Sequence, residues 1–176
     1  LATNNATLTV KIEDDMPVAP TQTIDAVVPT VNTNLVVSLD ISGSMGSGAG
    51  SRMELAKAAL AQLIDQYDAL GDVKIMLVTF SSGSTLKGST TWLDAATAKS
   101  ILAGITNDGG STNYDSPLQQ VINHFGDAGK FTSGNFQNIS YFMSDGAPNV
   151  SGYLTYPVGE TGNTSTSGIV GDDITD

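Results

Sequence analysis

Leu35-Val36-Val37-Ser38-Leu39-Asp40-Ile41-Ser42-Gly43-Ser44 is the stretch whose reading decides the fold. An almost wholly apolar run ends in an acid, and two hydroxyls follow at alternate positions. Such a run, bounded by Gly and Ser, predicts a strand buried on both faces, as in a parallel sheet. In open α/β sheets, ligands bind just beyond the carboxyl ends of such strands. Asp40, Ser42 and Ser44 therefore stand where this fold class carries its chemistry. Oxygen donors of low total charge suit a hard divalent cation, Mg²⁺ or Ca²⁺.

Two further segments extend this constellation. Ile139-Ser140-Tyr141-Phe142-Met143 predicts a second buried strand, followed by Ser144-Asp145-Gly146-Ala147-Pro148, which sets Asp145 on a loop at that strand's end. Between the two, Asn107-Asp108-Gly109-Gly110-Ser111-Thr112-Asn113 is a loop leading into a helix from near Tyr114. Pro117 falls in the first turn of that helix, where a missing N–H is tolerated. Leu118, Val121, Ile122 and Phe125 recur at helical spacing behind it. Thr112 is thus a hydroxyl near a helix start, beside two glycines that permit close backbone approach.

Together, Asp40-Ile41-Ser42-Gly43-Ser44-Met45, Gly110-Ser111-Thr112-Asn113-Tyr114-Asp115 and Ser144-Asp145-Gly146-Ala147-Pro148-Asn149 resemble the metal-ion-dependent adhesion site of von Willebrand factor type A domains. The resemblance spans residues 34–149 and implies a Rossmann-like, doubly wound, mostly parallel α/β sheet. It implies that Ser42, Ser44 and Thr112 ligate a divalent cation, with Asp40 and Asp145 binding directly or through water. Hydroxyls coordinate such an ion without neutralising it, so a partner carboxylate can displace one of its waters. Asp115 matches an acidic position of some relatives and reads here as a helix-start charge. Singly, each residue has an ordinary structural use: Ser42 and Ser44 as turn formers, Asp145 in an Asx turn, Thr112 as an N-cap. The combination is what points to an ion.

Composition narrows the function classes. The chain has 176 residues, is 40% hydrophobic and carries a formal net charge of −11, enough for one domain with a real core. That charge argues against nucleic acid and anionic membrane surfaces as partners and suits a saline or calcium-rich exterior. With no Cys, stability must come from packing and metal rather than disulfides. No stretch approaches the eighteen or so apolar residues of a membrane span, and the first residues do not form a signal peptide.

Three regions are expected. Residues 1–20 read as the end of a β-sandwich repeat. Ala6–Ile12 alternates apolar and polar, and Glu13-Asp14-Asp15-Met16-Pro17 follows. This resembles the junctions between extender repeats of bacterial RTX-type, type I-secreted adhesins, and implies Asp14 and Asp15 as interdomain Ca²⁺ ligands, against the alternative of a solvated charge cluster. Residues 21–150 form the type A domain. Within it, a helix is predicted over Arg52–Tyr67, a strand over Val73–Phe80, a turn over Ser81–Lys87, a short edge strand over Ser89–Trp92, and a helix from an Asp94 cap through Leu102. His124, the only His, ends the third helix. Residues 151–176, rich in Gly, Thr, Ser and Asp, form a loop or linker, with a strand fragment over Leu154–Val158. The family's six-stranded sheet implies two more strands after Asp145. They are expected on another segment, either missing from this chain or displaced by an insertion near Ser151, because Ile139–Met143 would otherwise be an exposed apolar edge.

The resulting functional expectation is an extracellular, divalent-metal-dependent adhesion module of a large surface protein. It would bind a protein or matrix carboxylate, or carry a neighbouring ligand-binding domain. The alternative is an α/β serine hydrolase with Ser44 as nucleophile, since Ser42-Gly43-Ser44-Met45-Gly46 is similar to a nucleophile elbow. There the first Gly is replaced, and His124 precedes any acid that would complete the Ser–acid–His order. Gly109-Gly110 lacks a P-loop Lys, and Asp40 has no second Asp two residues on.

Overall fold

The computed structural model describes residues 29–150. The expected strand over Ala6–Ile12, the Asp14/Asp15 pair and everything from Ser151 onward lie outside the described residues.

The predicted apolar run becomes β1 (Asn32–Asp40), in which every residue after Asn32 is buried. Its alternation explains why. Leu35, Val37 and Leu39 join Ile75, Leu77, Met53, Leu60, Ile64, Ala98 and Leu102 in one cluster, while Val36 joins Met76, Val78 and Trp92 in another on the opposite face. A strand sandwiched between two packed layers needs apolar residues on both sides, and Leu35, Val36, Val37 and Leu39 supply them.

A 3-10 turn at Gly43–Met45 leads to α1 (Arg52–Leu70). Ser51 caps α1, its hydroxyl accepting from Glu54 N at 3.3 Å, and Met53, Leu60 and Ile64 face inward. The helix runs three residues past the predicted end. It stops at Gly71, where a Cβ would lie 2.5 Å from the Val31 carbonyl oxygen. Next come β2 (Val73–Phe80), the short β3 (Ser84–Leu86), α2 (Ala95–Ala103), α3 (Asp115–His124) and β4 (Phe136–Met143). Asp94 caps α2 through Thr97 N at 2.7 Å, as predicted.

The sheet order is β3-β2-β1-β4. β1 pairs in parallel with both β2 and β4, and β3 closes the β2 edge antiparallel. The fold is therefore α/β with a mixed, mostly parallel sheet, α1 and α2 packing on one face and α3 on the other. Because β1 is central, its carboxyl end lies between those of β2 and β4, and their loops converge there.

Two expectations need correction. The edge strand forms at Ser84–Leu86, inside the segment read as a turn. Ser89–Trp92 is irregular, and only Leu93 makes an isolated bridge to Ile75. The reason is side-chain burial: Trp92 leaves the sheet plane to pack against Phe125, ring centroids 5.7 Å apart. Second, β4 is not buried on both faces among the described residues. It pairs with β1 alone, and Phe142 is 38% exposed. The alternative use of Thr112 as the N-cap of α3 is not taken up: Tyr114 holds that position, and the Asn113 side chain accepts from Ser116 N at 3.2 Å.

The loop before β4 is anchored by a buried polar side chain. Asn34, fully buried, donates to Phe131 O and Asn138 Oδ1, each at 2.8 Å, and accepts from Phe131 N at 2.8 Å. All of its polar atoms are thereby engaged, as burial requires. On the α1 side, the Tyr67 and Tyr141 hydroxyls meet at 2.9 Å, and this bond together with burial pushes the Tyr67 phenol up to about 12.

No helix among the described residues is long and apolar enough to cross a membrane. Gly71→Ala should destabilise the domain by about 1–3 kcal/mol, the range for forcing extra atoms into a packed site. Urea denaturation with an unchanged m-value would measure it.

Candidate metal centre

Asp40, the last residue of β1, is fully buried. Its Oδ1 accepts from Ser42 N at 2.8 Å and its Oδ2 from the Ser144 hydroxyl at 2.5 Å. Both carboxylate oxygens therefore face donors from the two loops they join. Ser42 follows in extended conformation, which turns its hydroxyl to the same rim. From there Ser42 Oγ lies 3.2 Å from Ser44 Oγ and accepts from Thr112 Oγ1 at 3.1 Å. Ser44 Oγ donates to Asp145 Oδ1 at 2.7 Å. Of the five side chains singled out in the sequence, Thr112, Ser42, Ser44 and Asp145 thus form one connected chain of oxygens drawn from three loops, and Asp40 joins it through the Ser42 amide.

Backbone contacts explain how the loops reach each other. Gly43 N donates to Gly110 O at 2.9 Å. A Cβ on Gly43 would stand 3.3 Å from Gly109 O, and one on Gly110 would stand 3.1 Å from the Ser81 and Ser82 hydroxyls. Thr112 is held from the other side. Its N–H donates to Asn149 Oδ1 at 2.8 Å, and its carbonyl accepts from Asn149 N at 2.9 Å and Val150 N at 3.1 Å. Beneath the rim, Phe80, Tyr114 and Phe142 pack as a triangle of rings with centroids 4.7–5.9 Å apart, linking β2, the α3 entry and β4.

Several residues that build this site carried no clear signal in the sequence. Ser144 supplies the second donor to Asp40. Asn107 donates to Ser42 O and accepts from Gly109 N at 2.8 Å, shaping the glycine loop. Asn149 splints Thr112. Arg52, the first residue of α1, pairs with Asp145 Oδ2 at 2.8 Å. Asp115 lies in the first turn of α3, as expected, but only 2% exposed. A neighbourhood of Ser, Asn and Gly is common in loops, so only spatial proximity distinguishes these residues.

The donor set fits a hard divalent cation. Adjacent oxygens around an octahedral ion with bonds of roughly 2.1 Å are about 3.0 Å apart, and somewhat farther around Ca²⁺. The hydroxyl spacings of 3.1 and 3.2 Å are of that size. No group of three or more His, Cys, Asp or Glu side chains occurs among the described residues. A cation held here must therefore rely on hydroxyls, as this cluster offers.

Among the described residues, the hydrogen-bond partners of Ser44 and His124 do not form a Ser–His–acid relay. The hydrogen-bond partners of Ser44 Oγ are Ser42 and Asp145. His124 Nδ1 lies 2.9 Å from Asp127 Oδ2, which also accepts from Thr91 Oγ1 at 2.6 Å.

The chain belongs to the von Willebrand factor type A domain family, whose model matches residues 35–147. Among solved structures, it is similar to proximal thread matrix protein 1 (PTMP1) from the mussel byssus, at 21% identity and TM-score 0.58 over 70% of this chain and 33% of that one. A second structure of that protein, described as having a zinc-occupied MIDAS motif, aligns at 20% identity and TM-score 0.57, covering 70% of this chain and 33% of that one. The vWF domain of the type V pili tip protein Mfa5 from Porphyromonas gingivalis aligns at 23% identity and TM-score 0.56 over 77% of this chain and 47% of that one. The aligned part is thus from a third to about half of those chains. No similar curated protein was found.

The Thr91 hydroxyl and, secondarily, the His124 imidazole hold the Asp127 carboxyl below the usual carboxylate range. A carboxyl whose pKa is lowered by folding adds stability above its unfolded pKa of roughly 4, and that stability is lost as pH falls through the folded value. Asp127→Asn should therefore melt below wild type at neutral pH. The gap should close as pH falls below about 4 in thermal melts.

Proposed function

We propose that this domain is an extracellular binding module rather than an enzyme. In this reading Asp40, Ser42, Ser44, Thr112 and Asp145 hold a divalent cation, Mg²⁺ or Ca²⁺, and a carboxylate of a protein or matrix ligand completes the site. The observation that carries it is the state of Asp40. This carboxylate is fully buried, receives two hydrogen bonds, and meets no basic side chain among the described residues. A buried charge without a countercharge is unfavourable by several kcal/mol. A cation on the adjoining hydroxyls supplies that countercharge.

Ser42, Ser44 and Thr112 would be direct ligands, with Asp40 and Asp145 binding directly or through water. When bound, the ion offers a positive centre with positions still open to an anionic ligand. The chain's own part is to hold three neutral oxygens at fixed spacing and to orient the two acids. Neutral ligands leave the ion's charge available, which an all-carboxylate cage would not. The likeness to a pilus tip domain and a byssal matrix protein supports adhesion, with location at a cell surface or in a secreted matrix.

The flanks extend the proposal. Residues 1–20 would close a preceding extender repeat, with Asp14 and Asp15 as interdomain Ca²⁺ ligands, and residues 151–176 would lead toward the rest of an RTX-type adhesin. In such a protein the metal site would serve recognition directly or stiffen a carrier for an adjacent ligand-binding domain.

Calorimetric titration with Mg²⁺ and Ca²⁺, paired with melting in EDTA, tests the assignment. Thr112→Val and Asp40→Ala should each weaken ion binding about tenfold or more, the scale on which metal sites respond to lost ligands and their supports. Asp115→Ala should weaken it less. Equal affinities in Asp40→Ala and Asp115→Ala would contradict the ligand set. Covalent labelling of Ser44 by a fluorophosphonate would favour a hydrolase instead.

A further inference from the structure

Arg52 enters the sequence reading only as the residue that opens a helix. In the folded domain it does more. Its Nη1 donates both to Asp145 Oδ2 and to the Ser44 carbonyl, each at 2.8 Å. The same carboxylate uses its other oxygen, Oδ1, to accept from the Ser44 hydroxyl. Asp145 is thereby divided: one oxygen faces the hydroxyl cluster, and the other is tied to a guanidinium. The Asp145 side chain is only 8% exposed, whereas that of Arg52 is 66% exposed. The guanidinium thus covers the acid from the solvent side.

The charges give this arrangement a consequence. Asp40, Asp145 and Arg52 are charged side chains hydrogen-bonded into the cluster. The guanidinium offsets one of the two carboxylates, so the loaded cluster carries one more positive charge than the acids and ion alone would give it. We propose that Arg52 is the resident counter-cation of this site, a positioning residue that orients Asp145 and lowers the site's affinity for the divalent ion in exchange for a more positive rim. It rests on the metal-binding reading above. The remaining nitrogens, Nη2 and Nε, make no hydrogen bond among the described residues, so the exposed side of the guanidinium is open to an anionic partner beside the ion.

The repulsion between Arg52 and the ion acts through space and must weaken with salt. The fixed hydrogen-bond geometry must not. This separates the charge role from a purely structural one. Because a single nitrogen makes both contacts, Lys can replace Arg here, although it could not at a bidentate site.

The test is calorimetry of Mg²⁺ binding to the full chain as wild type, Arg52→Met and Arg52→Lys. At an ionic strength of about 0.01 M, Arg52→Met should bind Mg²⁺ about tenfold tighter than wild type, and at about 0.5 M NaCl the gap should shrink to about twofold or less. Arg52→Lys should stay within about twofold of wild type throughout. A parallel melt in EDTA at low salt should show Arg52→Met melting below wild type, with the deficit removed in the Arg52→Met/Asp145→Asn double variant, since the acid no longer needs its partner. Equal or weaker Mg²⁺ binding by Arg52→Met, or a gap indifferent to salt, would overturn the proposal while leaving the metal reading intact. No ion binding by any of the three proteins would overturn both.

Discussion

The Asp40 carboxylate is the constraint around which this domain is arranged. It ends the most buried strand of the sheet, where the dielectric is low and an ion is poorly tolerated without compensation. Two donors reach it, the Ser42 amide from its own loop and the Ser144 hydroxyl from the loop after β4. To satisfy the acid, β4 must run parallel beside β1 and end at the same level. The register delivers this, pairing Leu39 with Met143 so that Ser144 follows alongside Asp40. The same geometry carries Asp145 to Ser44 and gives the rim its second carboxylate.

Around that point the domain separates stiffness from chemistry. Aliphatic clusters on both faces of β1 and β2, and the ring triangle of Phe80, Tyr114 and Phe142, hold strands and loops in place. The oxygens above contribute little apolar burial of their own. They are fixed by what packs beneath them and by loop-to-loop bonds such as Gly43 N to Gly110 O. Neutral hydroxyls lie at the centre of the cluster and charged groups at its flanks. Within the cluster, Ser44 is bonded to an acid and a hydroxyl, with no imidazole among its partners.

Much of this was legible before any coordinates. β1, β2 and the helices α1 and α2 follow from apolar runs, helical spacing and the cap at Asp94, because these depend on neighbours within a few residues. The five rim residues were legible for a different reason: their types and order resemble a known family pattern. What the sequence did not disclose depends on contacts far along the chain. Trp92 sits in a segment that reads as a strand, yet it packs against α3 and pulls that segment out of the sheet. Thr112 looks like a helix cap, but its hydroxyl is taken by Ser42, seventy residues earlier.

The sequence by itself determined that the chain makes a parallel α/β core with acids and hydroxyls at strand ends, since burial on two faces favours a mainly apolar run such as Leu35–Leu39 in β1. Only the tertiary structure decided which of its many Ser, Asn and Asp residues meet. Ser144, Asn107, Asn149 and Arg52 acquire their roles from the parallel register and from loops folded over one another. A hydrogen bond between residues roughly a hundred positions apart leaves no periodic trace in the chain, because it is set by where the packed strands end and not by local preference.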